Sequence, residues 1–217
     1  MSPKFKVILN QENDQEAFKD FFRMKNQTVW DWYPDIKDES DIDQIVNQAY
    51  SNHRLDSTVV WFKSHNNTLS KIANTLSEVL DEGWQGIDEI TIIPSVCPVC
   101  PRFIKKSSYF SHYRLDHQET LCIAAHEMTH FLYFKKLQRL LGEEIDTEYP
   151  GKDWLISEIV DPVITSDPRI QAITHIKDQA YLPDQDLSAE KVKAVQDLWS
   201  GDILKFRKEA FGLLNEN

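Results

Sequence analysis

The chain has 217 residues, with 24 Lys and Arg against 35 Asp and Glu and a formal net charge of −11. Hydrophobic residues make up 41% and aromatics 11%, enough for a core and too much for a disordered tail. No apolar run approaches the roughly 20 residues that span a bilayer, the charge opposes a general nucleic-acid coat, and three cysteines suit a reducing compartment better than a disulfide scaffold. The opening MSPKFKVILNQEN has no apolar h-region, so the expectation is a protein without a secretory signal, soluble and cytoplasmic.

Residues 4–10 alternate and are rich in branched side chains, which predicts a strand. Residues 14–24 have helical spacing through Phe18, Phe21 and Phe22. Trp30, Trp32, Tyr33 and Pro34 among acids read as a loop. Residues 41–52 predict a helix, and Val59–Phe62 fit strand or helix equally. Residues 67–82 are amphipathic through Leu69, Ile72, Ala73, Leu76, Val79 and Leu80, with Gly83 placed to cap them. Residues 88–95 predict a second strand.

Residues 115–140 are the most strongly patterned helix. Asp116 and Glu119 form a capping-box pattern, and Leu121, Ala124, Ala125, Met128, Phe131, Leu132 and Leu137 are apolar around most of the circumference. A shorter helix follows over 152–161, before Pro162. Asp167 and Pro168 signal another helix start. Residues 188–199 and 202–214 read as a closing helical pair joined at Gly201. The sum is α+β, predominantly helical, with a small mixed sheet from the N-terminal half. It is expected as a single domain, with an N-terminal strand and helix part over 1–87, a central part over 88–183 and the helical pair over 184–217.

Residues 126–130 read His126-Glu127-Met128-Thr129-His130. Residues four apart share a helix face, so both imidazoles can reach one metal ion. Glu127 sits one step round, where its carboxylate can hold a water as general base. The flanks LCIAA and FLYF are apolar, so these polar groups sit on a buried helix and need partners, which a metal supplies.

The stretch LCIAAHEMTHFLYFKKL resembles the active-site helix of the zincin metallopeptidases over about twenty residues. The order of elements, strands first, then the HExxH helix, then another helix, agrees with that fold. The resemblance implies one catalytic Zn2+, a peptide or protein substrate and hydrolysis with Glu127 as the base. The metzincin continuation would require Gly and His where Tyr133 and Lys136 stand, which excludes that branch. The gluzincin branch takes a Glu from the next helix, and Glu158 in WLISEIVDP fits, giving His126, His130 and Glu158 as metal ligands. Asp161 fits a supporting role behind a metal-bound His, although it comes three residues after Glu158 where the family spacing is four. Gluzincins add a His or Tyr for the oxyanion, which makes His175 and Tyr181 candidates without local marks of catalysis.

Two other readings remain in view. A zinc-binding regulatory or sensor protein on the same scaffold would lack peptidase activity. Cys97, Cys100, His112 and His117 have a spacing one residue short of a two-Cys two-His finger, and Arg102, Lys105, Lys106 and Arg114 make that stretch basic. Against the finger stand the overall charge and the place of His117 in the first turn of the HExxH helix. The simpler reading puts Cys97 and Cys100 beside the sheet edge at the active-site rim, and Cys122 in the core. A ligand platform from Trp30 and Trp32 is a further option.

Overall fold

The computed structural model describes residues 2–182 and 187–215, and among them the chain is α+β, mostly helical, with a four-stranded mixed sheet. The strands are β1 (Lys4–Val7), β2 (Glu89–Ser95), β3 (Arg102–Phe103) and β4 (Ser108–His112), in spatial order β1-β2-β4-β3. β1, β2 and β4 are parallel, and the short edge strand β3 runs antiparallel to β4. β1 alternates, exposing Lys4 and Lys6 while half-burying Phe5 and Val7, as a sheet edge requires. The expected boundary at 183/184 lies outside the described residues.

Ten α-helices and one short 3-10 turn (Ile104–Lys106) account for the rest of the regular structure among the described residues. α1 (Gln11–Arg23), α2 (Gln27–Trp32) and α3 (Glu39–Ser51) precede α4 (Asp56–Ser64) and α5 (Asn66–Leu80). α6 (His117–Leu141) carries the HExxH sequence, and α7 (Lys152–Thr165), α8 (Pro168–Thr174), α9 (Ala189–Asp197) and α10 (Ile203–Asn215) follow.

Several expectations change. The Trp30–Trp32 stretch is helical, because Asn26 caps it by accepting from the Thr28 amide. Val59–Phe62 resolves as helix within α4. Gly83 does not cap α5; Asp81 takes the left-handed conformation at φ 46° instead, which short polar side chains tolerate. Pro162 lies inside α7, which continues to Thr165. Its missing amide would have bonded the Glu158 carbonyl. The next turn is retained through Ser166 N–H donating to Pro162 O at 3.2 Å and Thr165 Oγ1 donating to Asp161 O at 3.0 Å.

The larger core joins Ile90, Ile92 and Tyr109 of the sheet to the inward faces of α4–α10. A smaller cluster holds α1–α3 against Val96, Cys97 and Val99, where the chain leaves β2. Asp14 of α1, fully buried, ties the two together. It accepts from the Val96 amide at 2.9 Å, the Cys97 amide at 3.2 Å and the Ser95 hydroxyl. Burial raises its pKa, against these hydrogen bonds.

α6 is fixed at both ends. Asp116 accepts from the Gln118 and Glu119 amides, Glu119 closes the capping box, and Gly142 ends the helix at φ 71°. Toward its C-terminal end, buried Glu82 beyond α5 accepts from Lys135 Nζ at 2.6 Å and Arg139 Nη2 at 2.7 Å. No helix among the described residues is long and apolar enough to cross a membrane.

Candidate metal centre

The four-residue spacing on α6 brings His126 Nε2 and His130 Nε2 to 3.0 Å from each other. α7 packs alongside and delivers Glu158, whose Oε2 lies 3.3 Å from His126 Nε2 and whose Oε1 lies 3.5 Å from His130 Nε2. All three side chains are buried. The sequence-derived ligand set therefore converges. Glu158 Oε2 has no hydrogen-bond partner, and a carboxylate oxygen so placed beside two imidazole nitrogens suits a divalent cation.

Asp161 competes for the third position. One ligand atom from each of His126, His130 and Asp161 lies within 4.8 Å of the others, the metal-capable group found among the described residues. The nitrogens discriminate between the two acids. Asp161 Oδ2 lies 2.9 Å from Nδ1 of His126, on the ring side away from Nε2, whereas Glu158 lies on the Nε2 side where both imidazoles meet. A histidine that binds metal through one nitrogen donates from the other, so Glu158 fits the ligand position and Asp161 the space behind it.

The partner of His126 Nδ1 was not legible in the sequence. It is Asp178, from the irregular segment after α8, with Oδ2 at 2.9 Å. Thr165 Oγ1 also donates to that oxygen, at 3.1 Å. Asp161 Oδ2 is equally near Nδ1, at 2.9 Å, so both carboxylates bear on the same ring nitrogen. Burial raises Asp161 well above the usual carboxylate range. Burial also opposes ionisation of Asp178, but the His126 charge and hydrogen bond prevail and hold it well below that range. Burial would lower His126 too, and the two carboxylates more than offset it, raising it. Asp178 is thus the ionised acceptor for the Nδ1 proton of His126, and it fixes the ring with its Nε2 edge turned toward His130 and Glu158.

Glu127 is buried beside the pair, and its Oε2 has no partner. Burial pushes its carboxyl up to about 7, against the His126 and Arg102 charges. Arg102 of β3 reaches across to donate from Nη1 to Glu158 Oε1 at 2.6 Å.

The centre opens into a cleft of about 900 Å³, whose lining includes His126, Glu127 and Glu158. Its lip is the 98–103 segment, including edge strand β3. In the β3–β4 ladder Phe110 N–H donates to Pro101 O at 2.9 Å, with Arg102 opposite Tyr109. Alternation in an antiparallel pair then turns the Arg102 N–H and C=O away from β4. An outward-facing backbone pair thus stands at the rim of the cleft.

Other candidates are distributed differently. His175 is exposed, ends α8 at φ 63° and lies outside the cleft lining, which removes it as an oxyanion donor. Tyr181 does line the cleft, and its oxygen accepts from Asn26 Nδ2 at 2.5 Å. The finger does not assemble. His117 packs against Trp61 at 5.4 Å between ring centres, whereas His112 packs against Trp32 at 4.4 Å. Burial pushes His112 down to about 3. Cys97 is buried in the smaller cluster, and Cys100 alone of the pair lines the cleft. Cys122 is buried as expected and, one helical turn before His126, also lines the cleft. Of the two tryptophans, Trp32 lines the cleft while Trp30 packs on Phe22.

Comparison with known protein families, curated proteins and solved structures gives no significant match.

Proposed function

We propose that the chain is a zinc-dependent hydrolase of the zincin type, most specifically a gluzincin-like peptidase. The observation that carries the reading is the convergence of His126 Nε2, His130 Nε2 and Glu158 beside a buried, half-unpartnered Glu127. His126, His130 and Glu158 would hold the metal. When bound, zinc supplies Lewis-acid polarisation of the scissile carbonyl and lowers the pKa of the attacking water. Glu127 takes the proton from that water as its oxygen adds to the carbonyl carbon, and returns it to the amine nitrogen as the C–N bond breaks. Asp178 keeps His126 in the tautomer that metal binding needs. The outward Arg102 N–H and C=O offer a substrate backbone a strand to pair with.

A second reading, a zinc-binding regulatory protein on this scaffold, draws on one observation: Arg102 already engages a ligand carboxylate. Glu127→Gln separates the two readings. The peptidase reading expects one equivalent of zinc to be retained and hydrolysis of a casein or mixed-peptide substrate to be lost. Turnover equal to wild type removes Glu127 as the base. Absence of any turnover in zinc-loaded wild type, over a broad peptide library, favours the regulatory reading.

A further inference from the structure

Arg102 is used by nothing in the chemistry above except through its backbone, yet its side chain is 9% exposed and aimed into the centre. Nη1 donates to Glu158 Oε1 at 2.6 Å, Nη2 lies 3.5 Å from Ser157 Oγ, and the guanidinium sits 5.9 Å from the Phe134 ring centre. Nε is buried with no partner. The guanidinium is therefore held by one short ionic contact, not by a full set of hydrogen bonds.

That contact divides the two oxygens of Glu158. Oε1 is taken by Arg102, and Oε2 is left without a partner, 3.3 Å from His126 Nε2. A carboxylate with one oxygen held by a guanidinium has one oxygen left to give. A fixed cation on the same carboxylate also repels any second cation bound there, and burial leaves that repulsion poorly screened. We propose that Arg102 is a positioning residue for Glu158: it restricts the carboxylate to ligation of a divalent cation through Oε2 alone, and weakens the hold on that cation. The inference rests on the metal-centre reading above. The consequence is a centre that is more electrophilic and more exchangeable than two imidazoles and a free carboxylate would make.

The test uses cobalt(II) as a visible probe, with affinity read by competition against a coloured chelator, for wild type, R102K and R102M. R102K keeps the charge and should bind within about threefold of wild type, with the same intense four-coordinate absorption. R102M frees Oε1 and removes the repulsion, so affinity should rise roughly tenfold or more and the absorption weaken as a second oxygen joins. Unchanged or weaker binding by R102M overturns the proposal. Should R102M fail to fold, R102Q replaces it: tighter binding with the wild-type absorption supports the proposal, and unchanged affinity overturns it. No cobalt uptake by folded wild type overturns the metal-centre reading and this inference together. Uptake by wild type without an Arg102 effect overturns this inference alone.

Discussion

Asp178 Oδ2 lies 2.9 Å from Nδ1 of His126, joining residues 52 positions apart across two intervening helices. The contact orients the imidazole that the HExxH spacing supplies. The segment after α8 is also tied to α7, because the single Thr165 hydroxyl proton is shared between Asp178 Oδ2 at 3.1 Å and the Asp161 carbonyl at 3.0 Å.

Replacing Asp178 by Ala removes the acceptor and frees the ring to change tautomer. Zinc affinity should fall about 10–100-fold, measured by chelator competition. Asp161→Asn should have the smaller effect, because Asp178 still accepts from Nδ1 in that variant. A larger loss in Asp161→Asn would assign the ligand role to Asp161.

Asp14→Ala leaves the buried Val96 amide and the Ser95 hydroxyl without their acceptor, while the Cys97 amide keeps Ser95 Oγ at 2.9 Å. The expected destabilisation is about 2–3 kcal/mol, read from urea unfolding. A change below about 0.5 kcal/mol would mean that these groups find other partners.

Glu82 gives a pH-dependent test of how α6 is anchored. Burial alone would raise its pKa, but Lys135 and Arg139 outweigh that and depress it below 4.5. A depressed carboxyl contributes stability that is fully present above the unfolded value of 4.5 and is lost as pH falls through the lower folded value. Glu82→Gln should therefore cost about 1–2 kcal/mol at neutral pH. The gap from wild type should narrow below 4.5. A gap that stays constant through acid would assign the cost to packing.

The ligands were legible because they obey local rules. His126 and His130 declare themselves by helical spacing, and Asp116 with Glu119 fixed the start of that helix. Glu158 followed from the resemblance and from a packed helix placed downstream. The residues that surround the ligands obey no such rule. Asp178 sits in an irregular segment, and only the need of His126 Nδ1 for a partner pointed to an acid somewhere. Arg102 was masked by a basic stretch that suggested a finger, and β4 by its sequence SYFSH, in which buried Ser108, Ser111 and His112 interrupt the apolar run that marks a strand. Pro162 argued for an early end to α7, but tertiary packing around Ile159, Val160 and Ile164 carries the helix past it.

Metal content separates the two cysteine- and histidine-based sites that the sequence offered. Cys97→Ser should retain about one equivalent of zinc and His126→Ala should lose it. Retention by His126→Ala together with loss in Cys97→Ser would locate the metal at the cysteines.

The most direct measurement is anomalous diffraction at the zinc edge from crystals of the zinc-loaded protein. One strong peak is expected roughly 2.0–2.2 Å from His126 Nε2, His130 Nε2 and Glu158 Oε2. A peak at His126 Nδ1 with Asp161, or one at Cys97 and Cys100 alone, would contradict it.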